Sequence, residues 1–148
     1  MSANEIQVAG THYRTDFQHW DLVLALELGY FEGQISKYVT RCRKKNGLQD
    51  AQKGLHFLEK YMEAVTHSTT VLKNPLRRPQ VTSERLGTLR RYAAANALLP
   101  AEATIVEFIC NWQHPRDLRD CRTLLVKLVA ALQPAAEEAG TGYVNQDR

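Results

Sequence analysis

Between residues 31 and 45 stand five bases, Lys37, Arg41, Arg43, Lys44 and Lys45, against one acid, Glu32. Lys37, Arg41 and Lys44 or Lys45 recur at steps of three and four, so on a helix they leave one face in consecutive turns. Like charges at that spacing repel by a few tenths of a kcal/mol per pair, so the row gains little unless an anion or a carboxylate meets it. Phosphate is the natural anion, because arginine offers it a planar fork and lysine a point charge. Each such charge-assisted bond contributes about 1.5–3 kcal/mol when desolvated. The competing reading is a solvated basic face answered by ion pairs from Glu32, Asp50 or Glu59. His12 and Tyr13, in an arm ahead of the first helix, offer a hydrogen bond to a phosphate or a ring to stack on a base. The alternative is that they pin the arm against that helix.

Other residues invite chemistry and carry less of it. His19 and Asp21 stand two apart, which puts them on different helix faces and argues against a direct pair. His56, His67 and His114 have no companion ligands at metal spacing, so no metal is expected. Cys42, Cys110 and Cys121 are odd in number and read as free thiols of a reducing compartment. A Walker-type phosphate loop, a GxSxG elbow, an HExxH pair and a CxxC pair are all missing, as are the paired ExxE and ExxD carboxylates of helical pyrophosphohydrolases. No catalytic residue is assigned. Arg77-Arg78, Arg90-Arg91 and Arg116/Arg119/Arg122 add basic points, the last three interleaved with Asp117 and Asp120. Trp112, with Phe108 and Ile109, reads as core.

The elements that must position these residues are helices. Asp16 is a good N-cap for a first helix to about Leu28, with Phe17, Trp20, Val23, Leu24 and Leu28 at helical spacing. A second helix over about 31–45 turns Phe31, Ile35, Tyr38, Val39 and Cys42 inward and stops at Asn46-Gly47. A third runs from about Leu48 to Val65. Residues 66–80, with two prolines and several hydroxyl side chains, read as a linker. Beyond it, Thr82 or Ser83 caps a helix to about Leu98, Pro100 starts one to about Trp112, and Pro115 opens the last to about Leu132. The expected fold is all-α: a compact helical unit over 1–66, a linker over 67–80, a C-terminal helical region over 81–133 and a flexible tail over 134–148. No window alternates with a period of two, so no sheet is expected.

At 148 residues, 44% of them apolar, the chain suffices to bury a core without covalent staples. The N-terminus does not read as a signal peptide, and the longest apolar runs are far too short to span a bilayer. The net charge of +3 is too mild to make nucleic acid the preferred partner.

Taken together, Gly10-Thr11-His12-Tyr13, the run Gly33-x-Ile35-x-Lys37-Tyr38-x-x-Arg41-x-x-Lys44-Lys45-Asn46-Gly47-Leu48-x-Asp50-x-x-Lys53 and His56-Phe57-Leu58 resemble the SaV-like phage family. The resemblance covers about residues 6–65. Gln49 stands where that family carries an acid, and Gly54 where it carries Ala. A glycine inside a helix costs roughly 1 kcal/mol relative to Ala, so close packing is expected at Gly54. The family is related to a coliphage nucleotide kinase. The resemblance therefore implies a phage protein in the cytoplasm of an infected bacterium, and it implies a homo-oligomer. It also favours a phosphate role for His12, Tyr13, Lys37, Tyr38, Arg41, Lys44, Lys45 and Lys53. The preferred function is binding of a nucleotide or other phosphate-bearing small ligand, including sequestration of a cyclic signal that serves host defence. The alternative is a nucleoside monophosphate kinase-like enzyme, the one case in which Mg2+ is expected as a cofactor. A second alternative is inhibition of a host protein through the C-terminal helices.

Overall fold

The computed structural model describes residues 2–6, 15–71 and 78–134, with side chains omitted for 68–71. Among the described residues a short 3-10 turn, Ala3–Glu5, precedes six α-helices. These are α1 (His19–Leu26), α2 (Tyr30–Arg41), α3 (Leu48–Val71), α4 (Ser83–Ala95), α5 (Pro100–Asn111) and α6 (Pro115–Leu132). The fold is all-helical, with no strand among the described residues. None of the described helices is long and apolar enough to cross a membrane. His12 and Tyr13, residues 72–77 and the stretch from 135 onward lie outside the described residues.

Helix α2 packs on α3 and α5, α6 packs on α3 and α5, and α4 packs on α1 and α5. One hydrophobic core therefore draws on both sides of the segment 67–80. Leu22, Ile35, Val39 and Leu58 from one side meet Tyr92, Ile105, Leu118 and Leu125 from the other, all but fully buried. Cys42, Cys110 and Cys121 are unpaired and sit in this core. Burial pushes the Cys42 thiol up to about 11 and the Cys121 thiol up to about 12.

The helix boundaries follow local chemistry. The start of α1 is at His19 rather than Asp16, because Asp21 at the third helical position accepts from the Gln18 N–H. Its inward face is Leu22 and Leu26, with His19 one turn earlier, while Trp20 and Leu24 stay exposed. Helix α2 ends at Arg41, four residues before the expected stop, and residues 42–47 form turns closed by Gly47 at φ +48°. Helix α3 continues to Val71, past its expected end at Val65 and into the expected linker, since no proline precedes residue 75. Thr82 caps α4 by accepting from the Arg85 N–H, and Pro100 and Pro115 open α5 and α6. Arg85 closes two helices from outside, donating to Leu26 O at the end of α1 and to Cys110 O near the end of α5.

Helix α2 turns three polar residues inward at four-residue spacing: Glu32, Ser36 and Thr40. Each meets a partner from another helix. Glu32 Oε1 accepts from Tyr61 Oη and Trp112 Nε1, Ser36 Oγ meets His19 Nε2 at 2.8 Å, and Thr40 Oγ1 meets Tyr92 Oη at 2.7 Å. Satisfied in this way, the stripe fixes the rotation of α2 about its axis, since any other rotation strands buried polar groups at about 1–3 kcal/mol each.

Gly54 is less crowded than the sequence implied. A Cβ there would meet Tyr38 Cβ at 3.5 Å and Leu125 Cδ2 and Val39 Cγ2 at 3.8 Å, which are ordinary contacts. Gly54→Ala is therefore expected to raise stability by about 0.5–1 kcal/mol. Urea denaturation checks this, and a lower midpoint would mean that α2 and α3 do not tolerate the added methyl.

Candidate functional site

The early end of α2 divides the basic row. Arg41, on the last turn of α2, holds Asp50 of α3 with two parallel bonds, Nε to Oδ2 at 2.9 Å and Nη2 to Oδ1 at 3.2 Å. Asp50 has no exposed side-chain surface. Arg43, in the turn, forks onto Glu102 through Nε and Nη2 and also donates to Ala97 O. The Glu102 hydrogen bond raises the Arg43 pKa, and Glu102 itself is 1% exposed. It also caps α5 by accepting from Leu99 N–H. Lys44 donates to Asn96 O just past α4. Burial lowers its pKa, with Arg43 adding repulsion. Arg41, Arg43 and Lys44 thus bind α3, α5 and the end of α4 to the α2–α3 turn. The turn takes Lys44 off the row that the sequence drew.

Lys37 and Lys53 remain with Arg41 around one ring. The Tyr38 ring centroid lies 4.6 Å from Lys37 Nζ, 5.1 Å from Arg41 Cζ and 5.7 Å from Lys53 Nζ. Tyr38 is stacked on Phe57 of α3 at 5.7 Å and 23°. Lys37 donates to Gln34 Oε1 at 2.8 Å, one turn back on α2. Its pKa is lowered, first by burial and then by Arg41 and Lys53, against which Asp50 pulls upward. Both oxygens of Asp50 are occupied by Arg41, so the cluster carries more positive charge than its own carboxylate cancels. Of the eight residues singled out, the structure brings Lys37, Tyr38, Arg41 and Lys53 together. It takes Lys44 to α4, and Lys45 is exposed in the turn. Phe57 escaped the sequence reading as a site residue, although its place five residues beyond Gln52 on α3 adjoins Lys53 by one helical turn.

The other sequence candidates resolve into structural roles. His19 and Asp21 do not pair: Asp21 caps α1, and His19 faces Ser36. Ser36 gives its proton to Glu32 O at 2.7 Å, so His19 donates through Nε2 and Ser36 is no activated nucleophile. His114 caps α6, its Nδ1 accepting from Arg116 N–H. Asp117 accepts from the Gln113 and His114 N–H groups, which hold its pKa below the usual carboxylate range. Arg122 reaches Glu59 on α3. Trp112 is buried, while Phe108 is partly exposed. Among the described residues no group of three or more His, Cys, Asp or Glu side chains is placed to hold a metal ion.

A second feature was not foreseen. A cavity of about 700 Å³ opens between the α1–α2 turn and residues 78–85, lined by Tyr30, Phe31, Tyr61, Arg78 and Arg85 among others. Its signal in the sequence was Arg78, which was noted only as half of a basic pair. No family model, curated protein or solved structure matches this chain.

Two outcomes follow from these contacts. Arg41→Ala leaves Asp50 buried and without its forked partner, and is expected to destabilise the fold by about 3 kcal/mol or more. Arg41→Met/Asp50→Leu should recover most of that loss in urea denaturation, and an equal loss in both would contradict the account. Burial, aided by Lys37, lowers the His19 pKa to about 4. The unfolded chain then takes up a proton near pH 6.5 that the fold refuses. Stability therefore falls as pH drops from about 6.5 to about 4, by on the order of 3 kcal/mol in all. His19→Gln should flatten that part of the curve, and an unchanged slope would show that His19 titrates normally in the fold.

Proposed function

We propose that this protein binds a phosphate-bearing ligand, a nucleotide by preference, on the α2–α3 face around Tyr38. The observation that carries the reading is the convergence of Lys37, Arg41 and Lys53 within 4.6–5.7 Å of one tyrosine ring. Lys37 and Lys53 supply point charges, and Arg41 a guanidinium already fixed by Asp50. The stacked Tyr38–Phe57 pair offers a π-face, suited to a base, beside the charges that suit its phosphate. The resemblance of residues 6–65 to the SaV-like family supports the same ligand class.

Capture is favoured over phosphoryl transfer. Transfer needs a carboxylate to hold Mg2+ or to orient the attacking group, and the carboxylate nearest this cluster, Asp50, has both oxygens committed to Arg41. In this reading a phage-encoded protein sequesters a nucleotide or cyclic-nucleotide signal in the cytoplasm of the infected cell. A second copy of the chain could complete the open side of the cluster, as the family resemblance implies.

Thermal melting against mono-, di-, tri- and cyclic nucleotides, with and without Mg2+, tests the reading. A ligand at 100 times its dissociation constant should add about 2.7 kcal/mol to stability. Lys37→Ala/Lys53→Ala should abolish that gain while leaving the unliganded melting temperature nearly unchanged, because neither lysine closes a buried ion pair. Ligand recovered intact supports capture, and recovered product supports the kinase-like alternative. No stabilisation by any nucleotide would sink both.

A further inference from the structure

We infer that the cavity beside the α1–α2 turn is a second binding site, for a small molecule carrying a single oxyanion group on an aromatic body. None of Lys37, Tyr38, Arg41 and Lys53 lines it, so it is separate from the cluster discussed above. Its volume of about 700 Å³ lies in the range of small-molecule sites.

Arg78 is the anchor. Its guanidinium lies on the Trp112 ring, Cζ 3.6 Å from the centroid, which fixes its plane. Of its five N–H donors, Nη1 makes a long bond of 3.4 Å to Trp112 O. Nη2 stands 3.7 Å from Glu32 Oε1, a distance for charge attraction rather than a hydrogen bond. Nε is buried and has no acceptor among the described residues. Glu32 Oε1 already accepts from Tyr61 and Trp112. A buried N–H without a partner carries a desolvation cost, which a ligand oxygen would recover.

Arg85 adds a second positive charge to the wall. Its donors go to Asn111 Oδ1, Leu26 O and Cys110 O, all neutral acceptors, so among the described residues its charge has no direct carboxylate partner there. Burial lowers its pKa, and Arg78 adds repulsion. Tyr30, Phe31 and Tyr61 supply the aromatic side, Phe31 and Tyr61 stacked at 5.0 Å and 2°. Two carboxylates, Glu32 and Glu27, also line the cavity and limit the charge it tolerates. A single carboxylate or phosphate head suits that balance, whereas a triphosphate would meet both acids.

The probes are benzoate, phenyl phosphate, benzyl alcohol and inorganic phosphate, each titrated into the full chain while the Arg78 Nε–H signal is followed by NMR. Benzoate or phenyl phosphate should shift it saturably, and the stronger of the two tells whether carboxylate or phosphate is the natural head. Benzyl alcohol, without a charge, and inorganic phosphate, without a ring, should bind at least about tenfold more weakly. Arg78→Lys keeps the charge but loses the Nε–H and the planar fork, and should weaken the aromatic anion about tenfold or more. Tyr30 is 65% exposed. Tyr30→Ala therefore leaves the fold intact, should weaken the aromatic anion about threefold to tenfold, and keeps the test open if Arg78→Lys unfolds. Lys37→Ala/Lys53→Ala should leave this binding untouched, even if the nucleotide reading fails. Loss of binding in that double variant, unchanged affinity in Tyr30→Ala, or no saturable shift with any probe would overturn the inference.

Discussion

Asp50 is a carboxylate with no exposed side-chain surface, on the first turn of α3, and Arg41 grips both of its oxygens. Taking such a charge out of water costs several kcal/mol, and a forked guanidinium is among the few groups able to offset it. The pair crosses the α2–α3 turn and sets the angle at which the two helices leave it. Arg43 and Glu102 repeat the device a short step away, tying the same turn to α5. Without the two bridges the turn at 42–47 would hold its helices by apolar contact and the Lys44–Asn96 bond alone, weakening the geometry of the Tyr38 cluster and the polar stripe of α2.

From this hinge the rest of the arrangement follows. With α2 fixed at its C-terminal end, Glu32, Ser36 and Thr40 meet Tyr61, His19 and Tyr92 in register. The opposite flank then presents a run of rings shared by α2 and α3. Phe57 touches Tyr30, Phe31 and Tyr38, while Tyr61 stacks on Phe31 and meets Trp112 edge-on. Cations border this run at both ends, Lys37 and Lys53 near Tyr38 and Arg78 on Trp112. Aromatic faces next to incompletely answered cations are the common chemistry of both proposed sites.

Much of the fold was legible because its signals are local. Thr82, Pro100 and Pro115 mark helix starts through a side-chain acceptor and through fixed backbone angles, and all three hold. The end of α2 was not legible, since Arg43, Lys44 and Lys45 are good helix formers. The turn that follows is held by Glu102 and by Asn96 O, residues more than fifty positions away. The basic row was visible as a row, but which members serve the fold depends on those distant acceptors. Buried polar residues depend on distant partners in the same way. Ser36 and Thr40 look like surface residues until His19 and Tyr92 are brought to them, and the inward turn of His19 leaves Trp20 and Leu24 outside. The cavity at Arg78 arises from chain segments that are adjacent only in space, so no spacing could announce it.

The central claim is a division of labour: Arg41, Arg43 and Lys44 hold the fold, and Lys37 and Lys53 are left for a ligand. NMR titration of the lysine side-chain signals, with the chain free and then saturated with a nucleotide or pyrophosphate, tests it most directly. The account predicts that Lys37 titrates below the ordinary lysine range in the free protein, in keeping with its burial and its cationic neighbours. It further predicts that the Lys37 and Lys53 signals shift on binding, while those of Lys44 and of the exposed Lys60, paired with Glu63, stay still. Ligand-induced movement centred on Lys44, with Lys37 and Lys53 unmoved, would contradict it.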